Sequence, residues 1–241
     1  IVGGVESVIA HHARLMTKAG HSVRLLAARG EALNEHIPLI RIPHADSRHE
    51  RLTQIKDDLN RGEVTNDFEI VRDKLAIELQ AALSGVDVLI AHNVCSLNKN
   101  LALTAALHQL HQSNKLPRLI LWHHDLAWTT PRYLPELHEG YPWNLLKTDW
   151  GNLTHVTVSE LRRDELAELM NIEPASIRVI PNGADFTHVT AGKVEVNATP
   201  RIVFAGRFVA QKNPLAIVRA LSMLRDLDWA CSMLGDGPMF G

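Results

Sequence analysis

The sequence has 241 residues and a formal net charge of −2, with 46% hydrophobic and 22% charged positions. That is an ordinary globular composition, long enough for one large domain or two small ones. It supplies no global field to draw nucleic acid, so any anion site must be local, and no apolar run approaches the ~20 residues of a membrane span, which leaves room only for peripheral membrane contact.

Ile1-Val2 reads as the tail of a first strand, followed at once by Gly3-Gly4. Val8, Ile9, His12, Leu15, Met16 and Ala19 then recur at helical spacing until Gly20 supplies a stop, and 22–28 is the next strand. This is the opening βαβ unit of a doubly wound sheet with most of its first strand missing. The glycine pair either lets backbone approach a ligand at the helix N-terminus or makes a tight turn that binds nothing.

A third strand is expected over 38–42. The polar stretch 44–65 has no apolar periodicity longer than a turn and reads as a variable, partly helical connection with a solvated face. Phe68, Val71, Leu75, Leu79 and Ala82 mark a helix over 67–83, and 86–91 is a nearly continuous apolar run, as in a central parallel strand. That strand delivers His92 and Asn93 to its carboxyl end, the edge where open α/β sheets bind ligands. Cys95 and Cys231 are far apart and lack metal-ligand spacing; they read as buried thiols of a reducing compartment, and a cytoplasmic location is expected. A helix over 98–111 carries His108 and His111 on one face with no third ligand at definite spacing, which favours a surface or half-buried pair over a metal site.

Strand 118–122 delivers His123-His124-Asp125, where either a histidine faces the ligand edge with the following carboxylate placed to fix its tautomer, or a histidine is simply satisfied by backbone; a metal site is awkward because adjacent residues point apart. The aromatics of 128–150 either form a platform for a sugar ring or pin an irregular loop. Strand 155–159 runs into a helix over 160–170 with Ser159 as a natural N-cap, and 177–180 closes the first domain. After Pro181-Asn182-Gly183, 185–199 has no core-forming pattern. Strand 201–205, Gly206, a loop bearing Arg207 and Lys212, Asn213 as N-cap, and Pro214 at the head of a helix over 214–225 either form an anion site or leave two solvated surface charges, and spacing alone favours the latter. A strand over 229–234 ends in a turn with Gly235 and Gly237.

The segment GRFVAQKNP (206–214) resembles the G-R-x4-K signature of the GT-B glycosyltransferases, family 4 in particular. VIPNGAD (179–185), MLGDGP (233–238), GGVE (3–6), HHD (123–125) and VTVSE (156–160) resemble further pieces of that family in its order, so the likeness spans the whole chain. It implies an α/β fold of two Rossmann-like doubly wound domains. Residues 1–182 would be the nearly complete acceptor-side domain, 183–199 the connection about which the domains close, and 200–241 the start of the nucleotide-sugar domain.

The resemblance also implies a chemistry: retaining transfer of a hexosyl group from a nucleotide-diphosphate sugar to an acceptor, in polysaccharide or glycoconjugate synthesis. Arg207 and Lys212 would grip the diphosphate, with Gly3 and Gly4 beside it. His124 would be catalytic, and Asn93, Asp125, Ser159, Gly235 and Gly237 would contact donor or acceptor. The nucleotide sugar is a substrate, not a cofactor, and two cations in place of a metal imply that no metal is needed. The family's paired acidic residues would fall beyond Gly241, so the expectation is an enzyme as the complete parent and an inactive fragment alone. A GT-B sugar-nucleotide epimerase and a non-catalytic nucleotide-sugar-binding module are the alternative readings.

Overall fold

The computed structural model describes residues 4–186 and 199–240. The chain divides into two compact units, Ile1–Ala184 and Asp185–Gly241. The strand tail expected at Ile1-Val2, Gly3, and most of the connection expected over 183–199 lie outside the described residues.

In the first unit, helix α1 (Gly4–Lys18) buries Val8, Ala10 and Ala13. Two short strands follow, β1 (Leu25–Ala27) and β2 (Leu39–Arg41), paired in parallel and each shorter than its apolar run. The polar stretch expected to be mainly connection instead holds a regular helix, α2 (Glu50–Asn60), with Leu52, Ile55 and Leu59 buried. Those three residues form a helical stripe one side chain wide, which the charges around them hide from a periodicity reading. Thr65 caps α3 (Asn66–Ala82), its hydroxyl accepting from Phe68 N at 3.4 Å. Arg51 at the start of α2 ties the two helices together through Asp67, with Nε 2.9 Å from Oδ2.

Strand β3 (Val88–His92), helix α4 (Leu101–Gln112) and strands β4 (Arg118–His123), β5 (Thr154–Thr157) and β6 (Arg178–Val179) build a four-stranded parallel sheet in the order β3-β4-β5-β6. Between β5 and β6 runs α5 (Glu160–Met170), capped by Ser159, whose Oγ accepts from Arg162 N at 3.3 Å. Leu75 and Leu79 of α3, Leu101 and Ala105 of α4, and Leu119 and Leu121 of β4 belong to the main core. Leu166 and Met170 of α5 join Leu126 and Ile177 in a second, smaller cluster. Parallel strands covered by helices need apolar residues on both faces, which is why β4 reads Leu-Ile-Leu-Trp without alternation.

The sheet expected as one piece is therefore two among the described residues, β1–β2 and β3–β6. A cavity of about 870 Å³ is lined by β1, β3, Ile9, His12 and Met16 of α1, and Leu79 of α3. No helix among the described residues is long and apolar enough to cross a membrane.

The second unit pairs β7 (Arg201–Ala205) in parallel with β8 (Ala230–Leu234), joined through α6 (Pro214–Ser222). Two expectations are corrected here. Asn213 stands at the helix entry in the left-handed region (φ 45°) and its side chain caps nothing, while Pro214 with its fixed φ opens the helix. The helix also ends at Ser222, where Met223 N bonds back to Ala220 O at 3.1 Å.

Candidate functional site

The carboxyl ends of β3 and β4 bring together the polar side chains of the first unit. Parallel register sets His92 beside Trp122, and the chain then turns into His123, His124 and Asp125. Asn93 holds that turn. Its backbone is left-handed (φ 57°), which asparagine tolerates better than most residues. In that conformation its Oδ1 accepts from His124 N at 2.7 Å and Asp125 N at 3.2 Å. The carboxamide oxygen of Asn93 is thus a clasp between two strand ends.

The adjacent histidines part company. His123, 1% exposed, points its Nε2 at Nδ1 of His155, 3.0 Å away, and His155 Nε2 lies 3.2 Å from Asp149 Oδ1. A carboxylate can only accept, so the neutral His155 carries its one proton on Nε2, and its Nδ1 accepts a hydrogen bond from His123 Nε2–H. His124, 8% exposed, goes elsewhere: its Nε2 lies 3.1 Å from Nδ1 of His92. The tautomer partner of His124 is thus His92 and not the following carboxylate. Asp125 acts on His124 only through its charge, which opposes the downward push of burial on the imidazole pKa. His92 in turn stacks on Trp122 (centroids 5.3 Å), with His12 of α1 4.5 Å from the same indole.

Burial keeps these rings neutral. It lowers the pKa of His12, His124 and His155, drives His123 well below the ordinary value, and takes His92 down to about 3, with the neighbouring His124 and His12 adding to the shift. The sign of the pH dependence follows. Unfolding restores an ordinary histidine that binds a proton, so the unfolded state gains protons as pH falls below about 6.5. The stabilisation is complete above that pH and is lost as pH drops toward 3. His92 alone should cost roughly 2 kcal/mol by pH 5. Urea unfolding at pH 7.5 and pH 5.0 should therefore show a clearly lower midpoint in acid; equal midpoints would contradict the buried neutral cluster.

The remaining site residues of the first unit fall into place around this. Ser159 is occupied as the cap of α5. Gly4 begins α1, and among the described residues a Cβ built on it meets nothing within 4 Å. Of the aromatics of 128–150, Tyr133, Trp143 and Trp150 pin the loop: they are buried in the main core, and Trp150 Nε1 donates to Leu145 O at 3.1 Å, while Tyr141 is exposed. His111 Nε2 donates to Gly151 O at 2.8 Å and His108 packs edge-on to Trp150, which accounts for that pair structurally. Among the described residues, no group of three or more His, Cys, Asp or Glu is arranged to hold a metal ion.

In the second unit Arg207 and Lys212 are exposed, and among the described residues their side chains have no ion-pair or hydrogen-bond partner. Lys212 ends the turn Ala210–Lys212 that leads into α6, and Arg207 lies in the loop before it. Gly235 and Gly237, expected to contact donor or acceptor, carry a structural task. Both have φ near +150°, and a Cβ on Gly235 would stand 1.9 Å from Gly206 O, one on Gly237 2.5 Å from Phe208 O. They let the 235–239 loop lie directly on the Arg207 loop, backbone against backbone.

A profile of Glycosyltransferase Family 4 matches residues 2–188 of this sequence. The chain belongs to that family. The matched stretch holds His124, Asn93, Asp125 and Ser159, while Arg207, Lys212, Gly235 and Gly237 lie beyond it. The mannosylglucosylglycerate synthase of Thermotoga maritima is 25% identical over 199 residues, 78% of this chain and 43% of its own length. A crystal structure of a glycosyltransferase from Rickettsia africae superposes with a TM-score of 0.58 at 18% identity, over 98% of this family-4 chain and 57% of that one. The superposition shows the fold: mixed α/β with parallel sheets, GT-B and Rossmann-like. This chain spans about half the length of the relatives it matches.

Proposed function

We propose that the complete protein is a retaining glycosyltransferase that moves a hexosyl group from a nucleoside-diphosphate sugar to an acceptor. The observation that carries this reading is the pair of exposed, unpartnered cations Arg207 and Lys212 beside the N-terminus of a nine-residue helix. Their donors are free, next to backbone amides whose dipole also favours an anion. In transfer they would stabilise the nucleoside diphosphate as it departs, when its charge is greatest.

His124 is the candidate for contact with the reacting sugar. Its ring is held, largely buried and neutral, so it offers a hydrogen bond to a hydroxyl without competing charge. His124→Ala in the complete protein should lower kcat about 100-fold while donor KM changes little. Unchanged kcat would remove the residue from the reaction.

The experiment that tests the whole reading is a donor screen on the complete protein with UDP-, GDP- and ADP-sugars, scored for transfer and for nucleoside diphosphate release. A mannose donor belongs first in the panel, since the Thermotoga relative is named for a mannosyl product. One donor should give acceptor-dependent release with retained anomeric configuration. The reaction should persist in EDTA, because Arg207 and Lys212 carry the diphosphate charge in this scheme. Tight donor binding without turnover across the panel would replace the transferase by a binding module.

A further inference from the structure

We propose that His92 is a positioning residue for His124: its Nδ1 engages Nε2 of the His124 ring and leaves His124 Nδ1 as the nitrogen presented to the sugar. This rests on the reading of His124 given above and adds a residue to it that no motif contains.

The geometry is a clamp made by His92, the last residue of β3, and Asn93, which follows it. Asn93 fixes the backbone of the His124 turn through Oδ1, at 2.7 Å from His124 N. His92, one residue earlier, fixes the ring at 3.1 Å. Its own orientation is determined in turn: the ring lies stacked on Trp122 at an interplanar angle of 26°, its register neighbour on β4, with the His12 ring 5.5 Å from it. Two neutral imidazoles facing each other can share one proton only, so whichever ring donates, the other accepts, and Nε2 of His124 is spent. Among the described residues His124 Nδ1 has no hydrogen-bond partner. Without His92 the ring would be free to exchange tautomers and to rotate about its side-chain bonds, and a displacement of about 1 Å at a reacting centre is enough to cost on the order of 100-fold.

The test uses the complete protein, the donor identified by the screen, and three substitutions at His92. Asparagine places an amide near the position of Nδ1, whereas glutamine reaches toward the position of Nε2. His92→Ala and His92→Gln should each lower kcat about 10- to 100-fold with donor KM within about threefold of wild type, and His92→Asn should recover to within about fivefold of wild-type kcat. A merely structural His92 would not distinguish Asn from Gln. Nitrogen-15 NMR of histidine-labelled wild-type protein supplies a readout that needs no variant to fold: His124 should show one fixed neutral tautomer. Full kcat in His92→Ala and His92→Gln while His124→Ala is inactive would overturn the inference and leave the role of His124 standing, as would a His124 ring averaging between tautomers in the wild type. Full activity of His124→Ala would instead overturn the reading beneath it.

Discussion

Arg207→Ala in the complete protein should reduce kcat/KM for the donor by about 100-fold or more and leave the melting temperature where it was. The two halves of that expectation have one cause. The guanidinium is exposed and has no partner among the described residues, so the fold loses nothing when it goes. A departing diphosphate, by contrast, loses a planar fork of donors that can hold two of its oxygens at once. Arg207→Lys should therefore fall between the two, keeping the charge and losing the fork, whereas Lys212→Arg should be tolerated because Lys212 contributes a point charge. Steady-state kinetics on the four proteins, with thermal melts beside them, decide the matter. Wild-type kcat/KM in Arg207→Ala would remove the diphosphate assignment, and a lowered melting temperature would mean that Arg207 holds structure instead.

How far the sequence alone reached depended on whether the deciding interaction was local. The bounds of α5 and β7 were legible to the residue, because a Ser159 cap and a β-branched run are each written in a few consecutive positions. Helix α4 begins later than 98 because its cap is Asn100, whose Oδ1 accepts from Leu103 N at 3.0 Å, while Asn98 donates its amide to Glu136 at 2.7 Å. Two asparagines two positions apart compete for the same cap, and nothing nearby says which has a distant partner. The bounds of α2, inside a stretch expected to be partly helical, were illegible for a related reason: its buried face is Leu52, Ile55 and Leu59, and what makes three residues suffice is the core they enter.

The candidate site divides the same way. His124 could be singled out from a three-residue pattern at a strand end. His92, His12, His155 and Asp149 could not, because their meeting depends on register between strands and on where α1 crosses the sheet. The one local hint was that His92 ends an apolar strand immediately before an asparagine. The glycines divide too. Gly4, Gly235 and Gly237 look alike in a motif, and only the structure separates the one in open space from the two that face backbone.

That separation yields an opposite pair of expected results. Gly235→Ala should destabilise the second unit by about 2–4 kcal/mol. At φ +152° a side chain is strained whatever the space, and here the added carbon would lie 1.9 Å from Gly206 O. The obstacle is main chain, so no rotamer change relieves it. The loop cannot retreat either without breaking what laces it: Gly206 N to Leu234 O at 2.9 Å, Phe208 N to Asp236 O at 2.8 Å and Met239 N to Phe208 O at 3.0 Å. Since the same bonds bracket Arg207, donor affinity should fall with stability even though no cation is removed. Gly4→Ala should do the reverse. At the head of α1, with nothing within 4 Å, alanine should leave the melt unchanged or slightly raised, as its helix preference allows, while transfer falls if a ligand passes there. Amide hydrogen exchange resolves the first variant, since protection should be lost across β7, β8 and their loops but kept in β3–β5. Wild-type protection in Gly235→Ala would mean that the two loops are not laced in solution, and the anion site would then need another frame to hold Arg207 in place.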